Sequence, residues 1–435
     1  MSPTETIAYW QREISVHLPH LSRPQAAVLA LWSYGMVLSQ SCGMTTIVCL
    51  LAKVLACPKT NLRQRLREWC YDAKDKAGSK RAELEPEACF APLVGWIISR
   101  WASGSHQLAL ALDATTLSKR FTVLAISVQY RGCAIPVAWY VMKAHQKGTW
   151  RPHWERLLRA VERGIPGEWM VIVMADRGLY APWLYQQIVE LGWHPFLRVT
   201  EPIFLRPQGS QEPLRKVAEW VKEPGEQWRG KVECGQEERL CCTMLICWEK
   251  GYDERWVIVT DLLPEESQAA WYSMRFWIEG GFKDQKRGGW QWHQTKMRDP
   301  KRAGRLWLAM AVATLWVVGV GGNGEAEEEA QKPAAGACRQ QEQGESVPGQ
   351  ERPLRGREES CFLRGRLLIV ATMVRAEPLP LGRFVPQAWP TKLYPVLKAS
   401  AAWAKRKREK QQRRREKLRR KERKRAQKRR QKTYP

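Results

Sequence analysis

Two apolar runs in this chain each end on an aspartate: Leu108-Ala-Leu-Ala-Leu-Asp113 and Met170-Val-Ile-Val-Met-Ala-Asp176. Uninterrupted runs of this kind read as strands buried inside a sheet. A carboxylate at the tip of a buried strand costs folding energy unless it binds something. Strand ends are also where open α/β sheets place their ligands. Further strand candidates lie at residues 121–129, 134–141 and 195–199, with helices at 154–163 and 182–191. Three consecutive strands, then helix-strand-helix-strand, predict an α/β fold built on a mixed sheet flanked by helices.

The rest of the chain divides by texture. Residues 1–105 read as helical, with apolar segments at 26–37 and 45–55, a break at Cys57-Pro58, and a basic helix at 61–69. Helix, short turn and basic helix fit a DNA-binding helix-turn-helix. A small helical bundle with a basic exposed face stays open beside it, because Arg63, Arg65 and Arg67 do not share one helical face. Residues 106–320 carry the α/β texture, with a β-rich insertion at about 201–262, strand candidates at 240–248 and 255–260, and helices at 266–286 and 302–318. Residues 321–360, rich in Gly, Glu, Gln and Pro, read as a flexible linker. Residues 361–403 read as a small C-terminal segment, with 361–374 expected to dock back as a helix and 378–395 rich in Pro, and 404–435 as a basic tail.

A formal charge of +27 points to a polyanionic partner, nucleic acid ahead of membrane. Between Lys405 and Lys432 stand 19 Lys or Arg against three Glu, so this stretch holds +16 and leaves +11 to the body. Such a tail fits sequence-blind, salt-sensitive DNA binding, and fits a solvated extension as well. The twelve cysteines show neither a CxxC pair nor zinc spacing, and with no secretory signal a reduced, cytoplasmic chain is expected. The apolar run at 306–320 is 15 residues long, short for a membrane span, and is expected to be a buried helix with no membrane partner. The glycine run Gly319-Val-Gly-Gly-Asn-Gly324 ends that helix rather than opening one, which does not suit phosphate cradling.

A third acid turns the two aspartates into a constellation. Tyr272, Arg275, Glu279 and Lys286 are three, four and seven residues apart, intervals that keep all four near one stripe of an α-helix. A carboxylate flanked by two cations can hold metal while the cations hold neighbouring phosphates. Phosphodiester chemistry needs an activated oxygen nucleophile, a stabilised leaving oxygen and neutralised charge at phosphorus, and two divalent ions about 4 Å apart do all three. Gly280-Gly281 is poor for helix stability, so a close approach of another backbone is expected there.

Tyr272-x2-Arg275-x3-Glu279-x6-Lys286 matches, without a deviation, the Tyr-Arg-Glu-Lys signature of DDE transposases of the insertion-sequence-four family. Asp113 in Ala111-Leu-Asp-Ala-Thr-Thr116 resembles that family's first acidic motif, and Asp176 in Met174-Ala-Asp-Arg-Gly178 its second. The separations, 63 and 103 positions, also fit, the second leaving room for a β-rich insertion within an RNase H-like fold. The resemblance covers about residues 105–320. It implies that Asp113, Asp176 and Glu279 are the catalytic, metal-binding triad, for two Mg²⁺ ions or Mn²⁺ in their place. It implies that Tyr272, Arg275 and Lys286 bind DNA at the terminal phosphates. Cut-and-paste transposition follows, on double-stranded DNA comprising terminal inverted repeats and target, by a homodimer in the synaptic complex, in a bacterial cytoplasm and on the nucleoid when bound. Two other readings stay open: a nuclease or resolvase on the same fold without strand transfer, and a DNA-binding derivative without catalysis.

Lesser candidates remain. Some members of that family stack a flipped base on a Trp of the insertion; Trp220, Trp228, Trp248 and Trp256 stand in this region, but each reads first as core and none is assigned that role. His293 sits just past the signature, on phosphate or simply at the surface. Arg177 either steers DNA or neutralises Asp176. The C-terminal third, linker and tail together, departs from the family's common core.

Overall fold

The large-small alternation in Leu108-Ala-Leu-Ala-Leu112 separates onto the two faces of one central strand. In the computed structural model, which describes residues 1–78, 82–102, 104–146, 148–235, 239–331 and 359–393, β1 (Gln107–Leu117) turns Leu108, Leu110 and Leu112 into the main core and Ala109 and Ala111 to the opposite face. That is the two-residue period of a strand. β2 (Phe121–Tyr130) and β3 (Cys133–Lys143) follow as an antiparallel meander, and β4 (Met170–Ala175) and β5 (His194–Arg198) add on the other side of β1, parallel to it. β1 runs five residues beyond the expected end at Leu112. β4 stops at Ala175, and past that point β1 is bonded to β2 alone, so Ala-Thr-Thr-Leu117 continues as a half-covered strand.

The β-rich insertion lengthens the same sheet. β6 (Phe204–Pro207), β7 (Arg215–Lys216), β8 (Gln227–Cys234), β9 (Leu240–Cys247) and β10 (Trp256–Thr260) complete ten strands in the order β3-β2-β1-β4-β5-β10-β9-β8-β6-β7. The joint is narrow: β10 pairs with β5 at Ile258–Arg198 and Val259–Leu197. β8 escaped the sequence reading because its first residues alternate between exposed and half-buried and carry Arg, Gly and Lys.

Helices cover the sheet. α1 (Pro3–His17) and α2 (Arg23–Ser39) begin with capping boxes from Ser2–Glu5 and Ser22–Gln25, each worth about 1 kcal/mol. α3 (Met44–Val54), α4 (Lys59–Trp69) and α5 (Phe90–Ser99) complete the N-terminal helical region, and α6 (Arg151–Glu162) and α7 (Pro182–Glu190) are the crossovers around β4. The helix expected at 266–286 is three geometries in series: a 3-10 stretch over Ala269–Phe276, α8 (Trp277–Lys283), and a wide turn over Asp284–Gly288 kinked at Lys286. Three residues per turn place Tyr272 and Arg275 in one column facing the sheet, and both are buried.

The middle of α9 (Pro300–Gln331), residues 306–322, is apolar all round and sits in the core. The helix is long and apolar enough to cross a membrane by length and composition, yet 94% of its apolar window is buried within the protein. It does not stop at the glycine run. Residues 321–331, expected as linker, are helical; 332–358 and the tail at 404–435 lie outside the described residues. The reason is α10 (Cys361–Val374), which crosses α9 with backbones in contact. A methyl group at Gly321 would fall 1.9 Å from the Cys361 carbonyl oxygen, and one at Gly365 1.7 Å from that of Val317. Each helical glycine costs roughly 1 kcal/mol of propensity, which the close crossing offsets.

The N-terminal helices are fastened to α9 by Arg305, 2% exposed. Its guanidinium donates to the carbonyls of Leu84 and Cys70 at 3.0 and 2.9 Å and pairs with Asp72 at 2.8 Å and with Glu83. The Trp69 indole donates to the Arg305 carbonyl at 3.1 Å. Helices and sheet thus share one core.

Gly321→Ala and Gly365→Ala should each lower the unfolding free energy by roughly 1–3 kcal/mol or more, measured by urea denaturation. Gly280→Ala, where an added methyl meets nothing within 4 Å, should be neutral or stabilising.

Candidate active site

β1 and β4 run parallel in register, and Leu112 opposite Ala175 is their last pair. The next residue on each strand is an acid. Asp113 and Asp176 therefore stand on adjacent strands, spaced about 4.8 Å, and share the parity of Ala109, Ala111, Ile172 and Met174, which line the face under the 3-10 segment and α8. The small alanines let that segment lie close. Gly281 packs against Ala134 of β3, where a methyl would come within 2.9 Å of the Ala134 Cβ, while Gly280 meets nothing; the expected close approach is realised at one glycine of the two.

One guanidinium meets all three acids. Arg275, 5% exposed in its side chain, places Nη2 3.0 Å from Asp113 Oδ2 and 3.6 Å from Asp176 Oδ2, and Nη1 3.0 Å from Glu279 Oε1. Tyr272 is fully buried and donates its hydroxyl to the Ala175 carbonyl at 3.2 Å, one residue before Asp176. Lys286 Nζ donates to Thr115 Oγ1 at 2.6 Å, and Thr115 lies two residues past Asp113 on the same strand face. All six sequence candidates converge on the end of β1 and β4, by backbone geometries other than the single α-helical stripe expected. Thr115 was missed because β1 was read as ending too early.

Burial pushes the Asp113 carboxyl above its ordinary range; Arg275 and the Ala114 N–H pull it down, while Glu279 and Asp176 push it further up. Burial works against the charge of Arg275, but Tyr272 and the three acids outweigh it and hold its pKa high. Burial also lowers the pKa of Lys286. Three carboxylates facing two cations leave a formal charge of −1 in a partly desolvated place. A set of hard oxygens without His or Cys suits Mg²⁺ or Mn²⁺. Among the described residues no three His, Cys, Asp or Glu side chains are spaced to enclose one ion, since the Arg275 guanidinium lies between the acids. The donor chemistry fits, and Asp113 and Asp176, whose oxygens reach a single nitrogen, are the pair placed to share an ion.

The lesser candidates separate. Arg177 does not neutralise the Asp176 side chain; it pairs with Glu254 at 2.9 Å, as Arg198 does at 2.8 Å, and only its backbone N–H donates to Asp176, at 2.7 Å. Trp256 is core, edge-on to Tyr272 at 5.4 Å. Trp220 and Trp228 pack on one another at 4.6 Å, and Trp248 lies beneath Arg255 at 4.3 Å. His293 is half-buried, and among the described residues its Nδ1 has no hydrogen-bond partner. In α4, Leu62, Leu66 and Trp69 face the core while Arg65 and Arg67 are exposed.

The family model described as "Transposase DDE domain" matches residues 105–316, the segment that contains all six residues. Among solved structures, the piggyBac transposase synaptic complex with hairpin DNA, determined by cryo-electron microscopy, is similar at 9% identity over 80% of this chain and 84% of that one, with a TM-score of 0.28. So loose an overlay places no residue. No curated protein matches the chain.

Asp284, in the wide turn beside the site, is pushed up to about 7 by burial, with Lys283 opposing. The folded state then holds this proton more tightly than the unfolded chain, whose carboxyl titrates near 3.9. Its contribution is fully favourable below about pH 4 and is lost as pH rises through about 7. Asp284→Asn should therefore gain stability over the unsubstituted protein at pH 8, a difference that closes towards pH 4; urea midpoints across that range check it.

Proposed function

We propose that this chain is a DDE transposase of the insertion-sequence-four family, which cuts and rejoins DNA by two-metal phosphodiester chemistry at the terminal inverted repeats of its own element. The observation that carries the reading is the meeting of Asp113, Asp176 and Glu279 around Arg275, within the stretch that the transposase DDE domain matches.

Asp113 and Asp176, with Glu279 across from them on α8, would hold the divalent ions. When bound, these supply an activated hydroxyl or water and a stabilised leaving oxygen. Asp113 is fixed by its pairing with Ala125 of β2, and Asp176 by the turn in which the Leu179 N–H donates to its carbonyl at 2.8 Å. Glu279, more than half exposed, is free to swing towards DNA. Arg275 is the cation nearest the acids, and its fixed fork suits a phosphate oxygen pair once it turns from them. Lys286 carries a second positive charge to the β1 side, held by Thr115. Tyr272 sets the end of β4 through the Ala175 carbonyl and acts by positioning. Synapsis of two element ends calls for two copies of the chain on DNA.

Purified protein with Mg²⁺ and element-end DNA should nick the end and join it to a target plasmid. Asp113→Asn, Asp176→Asn and Glu279→Gln should each slow cleavage by on the order of a hundred-fold or more while DNA binding in EDTA persists. Cleavage by any of the three at the unsubstituted rate would sink the assignment. Nicking without joining would instead mark a nuclease.

A further inference from the structure

A second basic feature lies away from the carboxylates, where α4 meets the start of α9. Met44, Arg63, Arg67, Tyr71, Met297 and Arg302 surround a groove of about 320 Å³. Tyr71 sits between two guanidinium groups. Arg302 lies over its ring at 4.4 Å, and Arg67 donates to its hydroxyl from Nε and Nη2 at 3.2 and 3.0 Å. The ring thus fixes the direction of both arginines. Arg302 is paired with Asp75 at 3.4 Å; among the described residues, no ion pair engages Arg63 or Arg67. Lys296 and Arg298 are exposed on the segment leading into α9, and Lys301 on its first turn. Two methionines and a tyrosine face make an apolar floor, and arginines make the rim. That combination suits the sugar face and phosphates of a nucleic-acid backbone.

The groove is rigidly related to the acids. Tyr71 lies between Cys70, whose carbonyl accepts from the buried Arg305, and Asp72, which pairs with it. Arg302 is three residues before Arg305 on the same helix. On the other wall, Arg120 in the β1–β2 turn donates to the carbonyl of Met297 at 3.2 Å and to that of Thr295. Asp113 is four residues before Leu117, the last residue of β1 and three before Arg120, a reach of roughly 13 Å along the strand.

We propose that this groove is a backbone-binding site for the double-stranded DNA flanking the cut, shared between α4 and α9, which sets the register of the duplex on the carboxylates. It rests on the transposase reading for the identity of the nucleic acid. Each arginine contributes a phosphate contact, and Tyr71 aims two of them. The two halves of the site belong to segments more than 200 residues apart in sequence, so a bound duplex spans both and stays fixed to the sheet.

The test is the salt dependence of DNA binding by the full chain in EDTA, so that no cleavage intrudes. Arg63→Gln, Arg67→Gln and their combination with Arg302→Gln are compared with Arg159→Gln, an exposed arginine of α6. The basic tail is common to all of them and cancels. Each groove substitution should reduce the slope of log affinity against log salt by about 0.9, and the triple variant by two to three times as much; Arg159→Gln should leave it unchanged. Tyr71→Phe, which removes only the hydroxyl, should weaken binding several-fold and be rescued by lower salt. Arg63 has no ion pair to lose, so its variant reports without disturbing the fold. An unchanged slope in the triple variant, or an equal loss in Arg159→Gln, overturns the proposal. So does an acidic peptide that binds the groove in its place while DNA binding keeps its slope. These outcomes are separate from those of the transposase reading: cleavage by Asp113→Asn at full rate defeats that reading without touching the slopes.

Discussion

Everything at the candidate site depends on the register of β1 against β4. Parallel pairing that ends at Leu112–Ala175 makes the next residue of each strand an acid, so two carboxylates share one edge of a low-dielectric sheet. Slipping either strand by one residue would turn its acid to the opposite face. The alternation of Leu with Ala in β1 guards against that slip. Leucines fill the main core, and alanines leave the room into which the 3-10 segment settles. The like charges that result are tolerable only because Arg275 sits among them. Core packing, strand register and local electrostatics therefore specify the same arrangement.

Much of this was legible in the chain. Strongly apolar strands declare themselves, and β1 to β5 lie close to where periodicity puts them. The two aspartates come together because the register of β1 and β4 sets them, and Tyr272, Arg275, Glu279 and Lys286 reach them from the broken segment that crosses that face. What the sequence hid has physical causes. The end of β1 is set by its pairing with β2, which runs on to Leu117–Phe121 after β4 has stopped, and no local pattern in Ala-Thr-Thr-Leu117 records that. The 3-10 stretch over Ala269–Phe276 is chosen by the burial of Tyr272 and Arg275 in one column, a tertiary demand that overrides helical spacing. The partner of Arg177 is Glu254, 77 positions away, and adjacency to Asp176 suggested otherwise. The glycine run at 319–324 looked like a helix stop because its partner helix is some 40 residues further on.

The N-terminal helices are more than an appended module. Arg305 is buried, satisfied by two carbonyls and two carboxylates, and drawn from the core helix of the α/β region. A charge buried in this manner adds little net stability but penalises every arrangement in which its partners are missing. It therefore fixes the orientation of α4 to α9 more than it strengthens the fold.

The crossing of α9 and α10 has a further consequence. Backbone meets backbone at Gly321 and Gly365, so recognition there is by shape, set by two residues with no side chain. In sequence, 29 positions separate the end of α9 from the start of α10. The strictest demand on the C-terminal helix thus falls on two residues that carry no functional group at all, and any side chain there, however inert, would push the helices apart.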